Sequence, residues 1–136
     1  MPHILLVEDD PAIALMYDTK LRSSGFDVTL KRDGNAAWEE LQSGPRPDLV
    51  LLDVVLPKKD GFEILRDLRR DPKLHDVSVI LLTNLGQRVD QEEGRKLGAS
   101  DYVIKAHITP AQLIEIVNKH LGQSSHAEAV LPSRYE

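Results

Sequence analysis

Leu49-Val50-Leu51-Leu52-Asp53-Val54-Val55-Leu56 is the most apolar run in the chain, and a single acid stands inside it. A strand with one wet face alternates apolar and polar residues. Leu49 to Leu52 do not alternate, which marks a strand covered on both faces, as in the centre of a parallel sheet. Asp48–Leu52 is therefore the expected third strand, with Asp53 at its carboxyl end. Aspartate seldom sits in such surroundings without a partner. It is either a polar residue closing the strand or a carboxylate with work to do, and Asp53 alone does not decide between them.

Outward from this run, short apolar stretches alternate with longer amphipathic ones. His3–Val7 reads as a first buried strand. Asp10 follows as a helix N-cap with Pro11 at the first helical position. Ile13, Met16, Tyr17 and Leu21 keep helical spacing, and Gly25 ends that helix. Phe26–Leu30 alternates, as a strand near a sheet edge does. Asp33–Gln42 is the second helix, with Ala37, Trp38 and Leu41 on one side, and Asp60–Arg69 the third, with Phe62, Leu65 and Leu68 inward. Ser78–Leu82 is the fourth strand. Gln87–Leu97 is a weaker helix; Gly94 inside it costs about 1 kcal/mol relative to alanine. Asp101–Ile104 is the fifth strand, and Thr109-Pro110 opens a last helix with Leu113, Val117 and Leu121 inward. Strict alternation of five strands and five helices predicts a doubly wound α/β domain, a five-stranded parallel sheet with helices on both faces. The domain is expected over 1–122. Residues 123–136 lack periodicity and are expected to form a disordered tail.

The 136 residues fit one domain with a genuine core. With no cysteine, disulfides and thiolate metal sites are excluded, and a reducing cytoplasm is the expected location. A net charge of −5 argues against general affinity for nucleic acid or an anionic membrane. No apolar run reaches the length of a membrane span. The five histidines lack metal-ligand spacing, and there is no glycine-rich phosphate loop.

Ligand sites in doubly wound sheets lie beyond the carboxyl ends of the strands. Those ends carry Glu8-Asp9-Asp10, Asp53, Thr83 and Lys105. Neighbouring strands lie about 4.8 Å apart, so if the first and third are adjacent, Asp9 and Asp53 can share a cation. Glu8 would assist through water, and the Val55 carbonyl could add a ligand. Oxygen donors with room for water suit Mg²⁺. Each residue has a plainer reading: Glu8 and Asp10 as helix-start acids, Thr83 as a strand residue, Lys105 as a surface charge, Tyr102 as a half-buried core ring. Their joint placement at strand ends is what the plainer readings leave unexplained.

As a set, Leu5-Leu6-Val7-Glu8-Asp9-Asp10, Leu51-Leu52-Asp53-Val54-Val55-Leu56-Pro57 with Asp60-Gly61, Leu82-Thr83, and Gly98-Ala99-Ser100-Asp101-Tyr102 with Lys105 resemble the receiver domain of response regulators. The resemblance runs from about Ile4 to Leu121. It implies a flavodoxin-like fold with strand order 2-1-3-4-5. It implies that Asp53 accepts a phosphoryl group from a sensor histidine kinase or phosphotransfer protein. Asp9 and Asp53 would bind Mg²⁺, with Glu8 through water and the Val55 carbonyl. Lys105 and Thr83 would hold the phosphoryl oxygens, and Tyr102 would change rotamer. That would couple the site to the surface of the fourth helix, fifth strand and fifth helix, where a downstream protein target binds. Homodimerisation through that surface is a family habit, and Ile108 and Ile116 are candidates to contribute. The short chain is read as a stand-alone regulator rather than an enzyme, with a fragment of a larger regulator or hybrid kinase as the alternative, and with neither nucleic acid nor membrane as partner.

Two departures from the family pattern carry expectations. Ala106 follows Lys105 where the family has proline after a cis peptide. A cis bond is expected here too, so that Lys105 still reaches the site, although it costs a non-proline residue about 2.5–4 kcal/mol. Asn84 replaces a small residue, and Val55 and Leu85 should flank the path of an attacking water, so slow self-dephosphorylation is expected. Trp38 is expected to report poorly on the site. Two rival readings stay in view. One is a receiver-fold interaction module that is never phosphorylated. The other is an aspartyl-phosphate phosphatase, which the isolated Asp53 after the third strand and the lack of room for a cap make the weaker rival.

Overall fold

The computed structural model describes residues 1–84 and 91–122. Five strands, β1 (His3–Val7), β2 (Asp27–Lys31), β3 (Leu49–Asp53), β4 (Ser78–Thr83) and β5 (Asp101–Ile104), pair in parallel in the order β2-β1-β3-β4-β5. Five helices connect or follow them: α1 (Pro11–Ser23), α2 (Gly34–Ser43), α3 (Gly61–Arg70), α4 (Gln91–Lys96) and α5 (Pro110–Gly122). The expected flavodoxin-like fold is what forms.

The centre of the sheet follows from composition. All five residues of β3 are buried, and its four apolar side chains divide between two cores. Val50 and Leu52 join Leu5, Val7, Val79 and Leu81 under α2 and α3. Leu49 and Leu51 join Ile4, Leu6, Ile80, Leu82 and Val103 under α1 and α5. At about 25 cal/mol per Å² of apolar surface, such two-sided burial is the largest favourable term in the fold.

Helix starts follow the capping residues. The Asp10 carboxylate accepts from the amides of Ala12 and Ile13, and Pro11 begins α1. Asp33 and Asp60 turn out to be caps rather than first helical residues, and Glu63 reciprocates Asp60 in a capping box. At the far end of α1, Gly25 takes φ +98°, open to glycine at no cost.

Several expectations need correction. Strand β2 starts at Asp27, and Phe26 instead enters the core under α1 and α5. Met16 is 44% exposed; Ala14 takes its place on the buried face of α1. Ile116 is buried within α5, so it offers nothing to self-association. The Lys105–Ala106 peptide is trans, not cis. Lys105–His107 form one 3-10 turn after β5, and that turn carries Lys105 to the site without the cis bond. The expected tail at 123–136, Leu85 and the first part of the expected fourth helix lie outside the described residues.

Gly94 is more than a weak point in α4. It is buried, and a Cβ there would come within 2.8 Å of Leu81 Cδ1, with Phe62 and Tyr102 ring atoms at 3.5 and 3.6 Å. The missing side chain is what lets α4 lie close to the sheet.

Candidate functional site

Sheet register brings the strand-end polar residues together. Val7 pairs with Leu52, so Glu8 and Asp53 leave neighbouring strands at the same level. Asp53 pairs with Leu82, which places Thr83 one residue further along β4. The chain switches sides between β1 and β3, the two strands on which ligands of such sheets converge.

Glu8, Asp53 and Lys105 are all buried. The Lys105 ammonium donates to Glu8 Oε1 at 2.7 Å and to Asp53 Oδ2 at 3.2 Å. Glu8 Oε2 accepts from the Asp10 amide at 3.1 Å. Asp53 Oδ1 has no hydrogen-bond partner, the one such buried side-chain atom among the described residues. Asp9 is exposed, and ligand oxygens of Glu8, Asp9 and Asp53 all lie within 4.8 Å of one another. Three carboxylates therefore face one ammonium.

The electrostatics follow. The Asp53 carboxyl is raised from 3.8 to about 7, chiefly by burial and also by the charge of Glu8, with Lys105 opposing both. Tyr17, on the buried face of α1, is pushed up to about 12 by burial and by the charges of Glu8 and Asp53. The site is thus deficient in positive charge, with one carboxylate oxygen unsatisfied. An all-oxygen donor set with surplus negative charge fits a hard divalent cation such as Mg²⁺.

The remaining expected residues lie around this centre. Thr83 is buried at the end of β4, Val55 is half exposed in the β3–α3 loop, and Tyr102 is partly buried on β5 beside Gly94. Asn84 is exposed next to Thr83. The β3–α3 loop itself is pinned to α2. The Gly34 amide donates to the Pro57 carbonyl at 3.1 Å, Lys58 takes φ +73° with its ammonium 3.8 Å from Asp33, and Lys59 stacks over Trp38 at 5.3 Å. Trp38, expected to report poorly on the site, touches the loop that leaves Asp53.

Two residues near the site were not singled out from sequence. Tyr17 keeps helical spacing and reads as core, which it also is. Arg32 donates to the Asp9 main-chain carbonyl at 2.7 Å, and a bond to a carbonyl leaves no mark on composition or periodicity.

Comparison with known proteins agrees with this geometry. The response regulator receiver domain family matches residues 4–118. The DNA-binding dual master transcriptional regulator RpaA of Synechocystis is 43% identical over 105 residues, 77% of this chain and 43% of that protein. The DNA-binding response regulator MtrA of Mycolicibacterium smegmatis is 38% identical over 130 residues, 96% of this chain and 55% of that protein. The chain spans about half the length of these curated relatives. The receiver domain of sensor histidine kinase PA1611 from Pseudomonas aeruginosa PAO1, solved with a magnesium ion coordinated in its active-site cleft, superposes with a TM-score of 0.80 at 34% identity. That match covers 90% of this chain and 98% of the other.

Proposed function

This chain belongs to the response regulator receiver domain family, and from that premise we propose that Asp53 accepts a phosphoryl group from a phosphohistidine on a sensor kinase or phosphotransfer protein. The observation that carries the proposal is the state of the Asp53 carboxylate. It is buried at the end of the central strand, held by Lys105 through Oδ2, with Oδ1 unsatisfied.

In the proposed reaction an Asp53 carboxylate oxygen attacks phosphorus and forms the acyl phosphate bond. The nitrogen–phosphorus bond of the donor breaks, and its electron pair returns to the imidazole. Lys105 would neutralise charge on the phosphoryl oxygens, and Thr83 would hydrogen-bond one of them. Asp9 and Asp53 would hold Mg²⁺, with the Val55 carbonyl. Glu8 would act through water, since both its oxygens already accept hydrogen bonds. The bound ion would offset negative charge as the phosphoryl group approaches. The chain is an acceptor in this reading, not an enzyme acting on a separate substrate.

Tyr102 packs against the core under α2 and α3 and beside Gly94 of α4. A change in its rotamer would alter the surface of α4, β5 and α5, where a downstream protein reads the phosphorylated state. Among the described residues no helix is long and apolar enough to cross a membrane.

Intact mass after treatment with acetyl phosphate and Mg²⁺ tests the proposal on wild type and Asp53→Asn. One phosphoryl group should be gained, only with Mg²⁺ and only in the wild type. No gain would leave the domain an interaction module that works unphosphorylated.

A further inference from the structure

Two peptides of the acidic segment after β1 are held, the one between Val7 and Glu8 and the one between Asp9 and Asp10. The Glu8 amide donates to the Lys31 carbonyl at 3.1 Å, extending the β1–β2 ladder by one residue. The Asp10 amide donates to Glu8 Oε2. The other end of that same Asp9–Asp10 peptide, the Asp9 carbonyl, accepts from Arg32 Nη2 at 2.7 Å, across the start of the β2–α2 connection.

The choice of acceptor is unusual for this part of the molecule. Other cations near these strand ends pair with carboxylates: Lys31 with Glu40, Lys58 with Asp33, and Lys59 with Asp67. Arg32 makes no ion pair among the described residues and binds a neutral carbonyl, although that carbonyl belongs to a residue with a carboxylate of its own. A guanidinium pairs more strongly with a carboxylate than with a carbonyl, and often through two bonds. Here the Asp9 carboxylate instead faces Glu8 and Asp53.

We propose that Arg32 is a positioning residue which, by holding the Asp9 carbonyl, fixes the direction of the Asp9 carboxylate toward the cation site. This rests on the reading of Asp9 as a Mg²⁺ ligand. Asp9 is exposed and lies two residues beyond the end of β1, so neither core packing nor the strand ladder orients its side chain. Fixing its carbonyl fixes the peptide plane and with it the Cα–Cβ direction. Partners that orient metal ligands in this way are worth about 10–100-fold in affinity. The exposure of Arg32 places it at the lower end of that range.

The sign of the effect separates positioning from simple charge. A cation beside a metal site repels the metal, so loss of a purely electrostatic Arg32 would tighten Mg²⁺ binding. Loss of a positioning Arg32 weakens it. The test is a Mg²⁺ titration of the full chain, followed by ¹H–¹⁵N NMR, for wild type, Asp9→Asn, Arg32→Ala and Arg32→Lys. Arg32→Ala should raise the Kd by roughly 10-fold. Arg32→Lys keeps the charge and one donor and should recover most of the loss, which a general loosening of the fold would not allow. An Arg32→Ala protein that binds Mg²⁺ as tightly as wild type, or more tightly, overturns the inference. If wild type fails to bind, or Asp9→Asn binds like wild type, the reading of the site falls and the inference with it.

Discussion

Lys105 lies closer to Glu8 than to Asp53, 2.7 Å against 3.2 Å, so the resting lysine is held chiefly by the acid that is not the proposed acceptor. All three groups are buried, and removal of the ammonium strands two carboxylates. Breaking a buried pair from one side costs about 3–5 kcal/mol. Lys105→Met should therefore lower stability by about 3 kcal/mol at pH 7.5 in urea denaturation without metal. The deficit should shrink toward pH 4, where carboxylates take up protons. A variant as stable as wild type at pH 7.5 would show that the triad contributes nothing to the fold.

Asp53 should make the domain less stable as pH rises. Its carboxyl is raised from 3.8 to about 7, so the folded chain holds that proton more tightly than the unfolded chain does. The stabilising contribution is complete below pH 4 and is lost as pH rises through about 7. Three pH units correspond to a ceiling of about 4 kcal/mol at roughly 1.4 kcal/mol each. Asp53→Asn removes the titration while keeping the shape. It should match wild type near pH 4 and exceed it by about 2 kcal/mol at pH 7.5 in the absence of divalent ions. Mg²⁺ should raise the Tm of wild type and leave that of Asp53→Asn nearly unchanged. Thermal unfolding across this pH range, with and without Mg²⁺, checks both parts.

The sheet and the acidic centre were legible because they depend on patterns that sequence displays. Uninterrupted apolar runs mark central strands, and a polar residue after such a run marks a strand end. What could not be read depends on contacts between segments far apart in the chain. The inward face of α1 differs by one position, Ala14 for Met16, because α5 and the sheet decide which stripe is covered. Ile116 looked like a surface residue and is core for the same reason. The Arg32–Asp9 bond and the seat of Trp38 against Lys59 are pairings of a side chain with a loop, which no periodicity encodes. The Lys105–Ala106 peptide was expected to be cis so that Lys105 would reach the site, and the turn at Lys105–His107 brings it there with a trans bond. Without the proline the 2.5–4 kcal/mol cost of a cis bond decides the geometry.

Gly34 should tolerate no side chain. A Cβ there would meet the Lys59 carbonyl oxygen at 1.6 Å, and that oxygen is backbone in the pinned β3–α3 loop. In a solvated helix Gly→Ala would gain about 1 kcal/mol. Here the overlap reverses the sign, and Gly34→Ala should cost at least about 2 kcal/mol. Because Lys59 stacks over Trp38, the displaced loop should also change Trp38 emission in the folded protein. Equal stability and an unchanged spectrum would mean that the loop is not bound to α2 as the structure has it.

Gly94 sets a finer balance, because the obstacle above it is the tip of a side chain rather than backbone. A Cβ would come within 2.8 Å of Leu81 Cδ1, and Leu81 is fully buried under α2 and α3. Alanine gains up to about 1 kcal/mol of helix propensity in the short α4. That gain is offset if Leu81 must leave its rotamer, at about 0.5–1.5 kcal/mol. Gly94→Ala should accordingly leave stability within about 1 kcal/mol of wild type. Gly94→Leu has no such escape. Its side chain would have to enter the space between Leu81, Phe62 and Tyr102, and overpacking of this kind costs about 1–3 kcal/mol. Part of that strain should fall on Tyr102, so the leucine variant should shift the Tyr102 ring resonances in NMR spectra of the unphosphorylated chain, and the alanine variant should shift them less. A leucine variant as stable as wild type, with Tyr102 undisturbed, would show that α4 is free to move away from the sheet, and the close approach seen at Gly94 would then not be what couples α4 to β5.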